Sequence, residues 1–160
     1  GMSSRLFTEI REKRGLAYYV RAGQGPYIDT GVFDISAGVR VSHLEEAVKV
    51  TLNELKKIAN GKIEAKELQK AKEFVKGKTT IYLEDNQSRL DWYLEQTAFK
   101  KETKTPSEAF KEIDAVTANQ VQKLAKELFV GNRLSLAVVG PYRKPMERKL
   151  LKIIQQWQKQ

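Results

Sequence analysis

The chain has 160 residues, of which 41% are hydrophobic and 31% charged, with a formal net charge of +9 and no cysteine. That length suffices for one ordinary core, and the composition excludes disulfide stapling, thiolate metal sites and low-complexity disorder. No apolar run reaches the ~20 residues needed to span a bilayer and no charged-then-apolar leader opens the chain, so no membrane association and a cytoplasmic location are expected, with an upstream signal left open.

The first element predicted is an amphipathic helix over residues 3–14, where Leu6, Phe7 and Ile10 recur at helical spacing. Ser3 or Ser4 is placed to cap it, and Lys13 and Arg14 meet the negative end of its dipole before Gly15 closes it. A strand from Leu16 to Arg21 follows, ended by the Gly23-Gln24-Gly25-Pro26 cluster read as a hairpin turn, and alternation resumes from Val32 to Val39. Ser42-His43-Leu44-Glu45 has the form of a capping box. It opens a helix with Leu44, Val48, Leu52, Leu55 and Ala59 on one face, closed at Asn60-Gly61.

A long helix is predicted from Glu64 to about Glu84 with Leu68, Ala71, Val75 and Tyr82 inward, and another from Gln87 to Lys100 carrying Leu90, Trp92, Tyr93, Leu94 and Phe99. The aromatic group Trp92, Tyr93 and Phe99 reads as helix packing, with a substrate-chamber wall as the alternative. Pro106 after Thr105 marks a helix start, and Thr117 with Gln120 forms a further capping box. Leu134 to Val139 reads as a buried strand stopped by Gly140-Pro141, and Pro145 starts a terminal amphipathic helix. Strand, strand, several helices, strand, helix is the order of an α+β domain, an antiparallel sheet with helices on one face. A single domain over 1–160 is expected. Three strands leave an open edge, which predicts a homodimer or swapped assembly.

The positive charge does not make a nucleic-acid module. Lys56, Lys57, Lys62, Lys66, Lys70, Lys72, Lys76 and Lys78 alternate with Glu54, Glu64, Glu67 and Glu73 at ion-pairing spacings, and no run of five like charges occurs. Nucleic acid is therefore not an expected partner. His43 is the only histidine, and no His-x-x-Glu-His helix exists, so no zinc site is expected here and His43 is expected to be solvent-exposed. Ser3, Ser4, Ser36, Ser42 and Ser135 lack a nucleophile elbow, and Gly23-Gln24-Gly25 lacks the lysine and helix of a phosphate loop.

Arg11 and Tyr18 are the pair with chemical potential. Arg11 falls in the last helical turn and Tyr18 early in the strand after Gly15, so the chain reversal can bring both to one face. A guanidinium and a phenol there can both donate hydrogen bonds to a carbonyl or developing oxyanion. The alternative is a surface ion pair of Arg11 with Glu9 or Glu12, and a Tyr18 that packs with a wet hydroxyl.

The stretch Ser3-Ser4-Arg5-Leu6-Phe7, then Ile10-Arg11-Glu12-Lys13-Arg14-Gly15-Leu16-Ala17-Tyr18, resembles the C-terminal half of zinc metallopeptidases of the pitrilysin/insulinase family, especially the mitochondrial-processing-peptidase-like branch. The resemblance extends through Leu83-Glu84-Asp85-Asn86-Gln87-Ser88-Arg89, Ile113-Asp114-Ala115-Val116-Thr117 and Leu136-Ala137-Val138-Val139-Gly140, nearly the whole chain. It implies the later part of the family's C-terminal, zinc-free domain, with the zinc-bearing N-terminal domain absent. Whether Gly1 is native or left by cleavage of a tag stays open. By resemblance, Tyr18 stabilises the tetrahedral intermediate, Arg11 holds the substrate carbonyl or backbone, and Tyr19 packs on the opposite strand face. The implied partners are a peptide or unfolded polypeptide and a zinc-bearing domain or subunit, zinc being the cofactor of that other part and none belonging to this one. The implied function is substrate binding and completion of a metalloendopeptidase site, inactive alone; the alternative is a non-catalytic structural or partner subunit of the same family.

Overall fold

The computed structural model describes residues 4–99 and 102–159. Within them the chain forms two compact units, one from the residues up to Lys62 and from Gln122 onward, the other from Ile63–Val121. The expected Ser3 cap, the Lys100 helix end and Gly1 lie outside the described residues.

The first unit is an antiparallel hairpin covered by helices. Strands β1 (Ala17–Pro26) and β2 (Gly31–Val39) pair from Ala17 opposite Val39 to Pro26 opposite Gly31. β1 runs through Gly23 and Gly25 rather than ending there. The reversal is made instead at 27–30, where the Tyr27 N–H donates to the Thr30 carbonyl at 2.9 Å. Glycine lowers strand propensity, but a ladder paired along its length overrides that weak local preference.

Helix α1 (Leu44–Asn60) buries Leu44, Ala47, Leu52, Leu55 and Ala59, as its 3.6-residue period requires. Helix α6 (Lys144–Gln158), with Pro145 in its first turn, buries Leu150, Ile153 and Trp157. Leu44, Leu52 and Leu55 pack with Leu150, Ile153 and Trp157, and Ile35 and Val39 of β2 join from the sheet. A second core cluster of Leu6, Ile10, Leu16, Ala17, Val20 and Ala47 joins the N-terminal helix to the start of β1 and packs against the same Ile35 and Val39. The architecture is thus α+β, with helices packed on an antiparallel sheet.

Three local expectations are corrected here. Ser42 and Glu45 form no capping box: residues Val41–His43 make a 3₁₀ turn, no side chain caps α1, and Glu45 is held by Lys49 at 2.7 Å and Lys149 at 2.8 Å. His43 is half-buried rather than exposed, its Nδ1 enclosed without a hydrogen-bond partner. Leu134–Val139 is extended in character but joins no ladder, because the sheet among the described residues has two strands only.

The second unit comprises α2 (Ala65–Tyr82), α3 (Asn86–Phe99) and α4 (Pro106–Ala115), and α5 (Ala118–Leu128) continues from it. Thr105 and Glu108 exchange both bonds of a capping box at α4, and Thr117 and Gln120 do the same before α5. Lys76 Nζ reaches Asp114 Oδ1 at 2.9 Å, and Lys72 Nζ donates to the Asp114 carbonyl at 2.7 Å, tying α2 to the end of α4. Gln96 is buried and fully engaged: its amide nitrogen donates to the carbonyls of Trp92 and Lys104, and its oxygen accepts from the Lys104 N–H. Trp92 Nε1 donates to the same Lys104 carbonyl at 3.0 Å.

The inward face expected for α2 is not buried. Val75 is 45% exposed and Tyr82 49%, and α2 holds no buried residue. Tyr93 and Phe99 of α3 are likewise exposed, so only Trp92 of that aromatic group packs as expected. Helical periodicity reveals an apolar stripe but not whether a neighbour covers it. No helix among the described residues is long and apolar enough to cross a membrane.

Candidate functional site

The N-terminal helix places Arg11. Its Phe7–Glu12 turn is π-helical, with the Lys13 N–H returning five residues to the Thr8 carbonyl at 2.9 Å, and Ser4 Oγ accepting the Phe7 N–H at 3.3 Å. Ile10 anchors it, with no exposed surface at all. At its end Gly15 takes φ +61°, a left-handed conformation that glycine adopts without a Cβ clash, while its N–H and that of Leu16 return to the carbonyls of Arg11 and Ile10. The chain then reverses directly into β1.

A β-bulge aims Tyr18. Ala17 pairs with Val39 and Tyr19 with Gly38, so Tyr18 is the extra residue on its strand. Ala17 and Val20 turn into the core, and Tyr18 is left 83% exposed. Across the Gly15 turn the Arg11 guanidinium carbon lies 6.0 Å from the Tyr18 ring centroid and 4.9 Å from that of Phe7. The structure therefore brings together the two residues singled out in the sequence.

Tyr19 lies over Gly38, where an added Cβ would stand 2.6 Å from its ring, so the ring seats only on a glycine. Arg21 caps this second ring at 6.0 Å from its centroid. Sequence reasoning did not identify Phe7, read there as an apolar helix residue, or Gly38 as parts of the site. Phe7 sits four residues before Arg11, a spacing that could have flagged it, whereas Gly38 becomes legible only from the cross-strand register.

Electrostatics separate Arg11 from its neighbours. Glu9 is bound by Lys13 Nζ at 2.6 Å and by Arg14 Nη1, and these two cations hold its carboxyl down at about 2. The ion pair of Arg11 with Glu9 or Glu12 does not form: among the described residues no carboxylate pairs with Arg11, and the Tyr18 hydroxyl has no hydrogen-bond partner. Both donors point to solvent, available to an acceptor brought to them.

Among the described residues no three His, Cys, Asp or Glu side chains gather at one point. The nearest carboxylate in sequence to follow His43, Glu45, is already bridged by two lysines.

Residues 1–75 match the sequence profile described as the peptidase M16 inactive domain. An uncharacterized zinc protease of Streptomyces coelicolor is 33% identical over 150 residues, which cover 94% of this chain and 32% of that protein. The uncharacterized zinc protease YmxG of Bacillus subtilis is 32% identical over 140 residues, covering 88% and 34%. The chain thus spans about a third of the length of the curated relatives it matches. Among solved structures, a conserved protein from Enterococcus faecalis V583 aligns with TM-score 0.69 at 26% identity, over 79% of this chain and 29% of the other. A chain of complex III2 from Candida albicans aligns with TM-score 0.71 at 20% identity over 79% of this chain and 30% of its own, a likeness of fold alone. The chain belongs to the peptidase M16 family, in the part of it described as the inactive domain.

Proposed function

We propose that this chain is the non-zinc part of a metalloendopeptidase, binding an extended peptide and completing an active site whose zinc is carried by another domain or subunit. The observation that carries the reading is the convergence of Arg11 and Tyr18 across the Gly15 turn, both exposed and neither side chain hydrogen-bonded or ion-paired within the described residues. Two donors on one surface suit a carbonyl oxygen that gains negative charge as its carbon becomes tetrahedral. Arg11 holds the peptide by its carbonyl, while the phenol of Tyr18 donates to the developing oxyanion. Phe7 and the Tyr18 ring fix the guanidinium between two aromatic faces, so little side-chain freedom is lost when the substrate arrives. Activation of the attacking water lies outside this chain's own residues, and the chain alone is proposed to be inactive.

The test is cleavage of a quenched peptide library with the zinc-bearing part present, on the same polypeptide or as a separate subunit. Tyr18→Phe is expected to lower kcat by about 10²-fold or more with KM little changed, as loss of an oxyanion donor does. Unchanged turnover in that variant overturns the role of Tyr18. No cleavage by the wild-type assembly would replace the reading with a structural or partner subunit.

A further inference from the structure

The face of the hairpin turned away from the helices carries a second unpaired guanidinium. Tyr19 pairs with Gly38, Arg21 with Ser36 and Gly23 with Asp34, which sets these six residues on one side of the sheet, while Val20 and Ile35 turn to the core. Arg21 is exposed, with its guanidinium carbon 6.0 Å from the Tyr19 ring centroid. Among the described residues no carboxylate pairs with it. The one acid among these strand positions, Asp34, is a diagonal neighbour of Arg21, a relationship that long side chains can bridge. It lies instead over Gly23, its Oδ1 2.9 Å from where a Cβ of that glycine would stand. Gly23 thus seats the carboxylate away from the guanidinium, and Tyr19, itself seated on Gly38, gives the guanidinium a platform.

This second cation stands close to the first. Arg21 follows Tyr18 by three residues on β1, about 10 Å along an extended strand, and a bound peptide in extended form advances at the same pitch. An arginine stacked on a ring loses little freedom when it pairs, and its unmet charge is costly to bury without an acid to meet it. Resting on the peptide-binding role proposed for Arg11 and Tyr18, we infer that Arg21 sets substrate specificity by pairing with an acidic side chain of the bound peptide, about three residues from the carbonyl that Tyr18 receives. A lysine or arginine at that place faces a like charge, so Arg21 selects against basic peptides as well as for acidic ones.

The test is a set of otherwise uncharged peptides in which a single glutamate or glutamine is moved through the positions on either side of the scissile bond, offered to the complete protein with its zinc-bearing part. At one position glutamate should raise kcat/KM over glutamine by about tenfold, chiefly through KM, a gain between that of a water-exposed ion pair and that of a shielded charge-assisted hydrogen bond. The ratio between the two peptides is the readout, because a general loss of folding or activity lowers both alike. Arg21→Gln should abolish it, Arg21→Lys should keep part of it, and Arg21→Glu should transfer the preference to lysine at the same position. Fluorescence anisotropy of the same peptides reads the ratio without turnover. Peptides that bind with a glutamate preference lost in Arg21→Gln, yet are not cleaved or are cleaved equally by Tyr18→Phe, would sink the catalytic reading and keep this inference. Equal binding and equal kcat/KM for glutamate and glutamine at every position overturn it, even where Tyr18→Phe slows turnover. A ratio unchanged in Arg21→Gln, with the complete protein melting at a lower temperature, also overturns it and assigns the guanidinium to a contact with the rest of the protein.

Discussion

Arg11 and Tyr18, seven residues apart in sequence, meet with 6.0 Å between guanidinium carbon and ring centroid because Gly15 reverses the chain between them. The φ of +61° at Gly15 is what permits so short a reversal, and nothing lies within 4 Å of where its Cβ would be. The cost of a side chain there is therefore torsional and not steric. Gly15→Ala should destabilise the fold by about 1–2 kcal/mol, the penalty of a left-handed alanine. Gly15→Asn should cost less, since asparagine tolerates that region. Chemical denaturation of both variants decides the matter, and equal losses would contradict the torsional account.

Ile10 is the pin on which the site turns, fully enclosed by Leu6, Leu16, Ala17, Val20 and Ala47. It fixes the helix end next to Arg11 and the start of the strand that carries Tyr18. Ile10→Val should cost about 0.5–1.5 kcal/mol and Ile10→Ala about 2–5 kcal/mol, reflecting lost transfer energy and the cavity left behind. Urea melts should show the midpoint falling in that order with little change in slope.

Much of this was legible in local chemistry. The period of Leu44, Leu52, Leu55 and Ala59 located α1, Gly15 marked the turn after the N-terminal helix, and the Thr105–Glu108 and Thr117–Gln120 boxes formed because each needs only residues three apart. Failures arose where a distant residue decided the outcome. Glu45 was lost to capping because Lys149, from the far end of the chain, claims its carboxylate. Leu134–Val139 has the composition of a strand, but a strand needs a partner that composition does not supply. Val75 and Tyr82 kept a helical stripe that no neighbour buries. The bulge that exposes Tyr18 depends on how Ala17 and Tyr19 register against Val39 and Gly38, which periodicity along one strand cannot encode.

Gln96 is a polar side chain that a hydrophobic cannot replace. Its amide closes three hydrogen bonds, two of them to the Lys104 backbone that leads into the α4 cap. Gln96→Leu keeps much of the volume but leaves the part-buried Lys104 N–H without its acceptor, an expected loss of about 1–3 kcal/mol. Hydrogen exchange should accelerate at Lys104 and through the first turn of α4. A variant as stable as wild type, with Lys104 still protected, would show that the amide is dispensable.

Acid should loosen the first unit through two carboxylates. Glu9 is held at about 2, against an ordinary 4.5, first by Lys13 and then by Arg14; Glu45 is held at about 2, first by Lys149 and then by Lys49. In both cases the folded state binds its proton less readily than the unfolded state. Their stabilisation is therefore complete above pH 4.5 and is lost as pH falls from there toward 2. Both pairs sit at the surface, so salt should weaken the effect. Glu45 spans two elements, joining Lys149 of α6 at 2.8 Å to α1, whereas Glu9 binds only within its own helix end. Glu45→Gln should consequently flatten the decline of stability across that acid window more visibly in the packing of α6, read from Trp157 fluorescence, than Glu9→Gln does. Lys149→Met should mimic Glu45→Gln in part, because Lys49 still holds the carboxylate. An acid slope in Glu45→Gln identical to wild type would show that this bridge contributes nothing to the pH dependence.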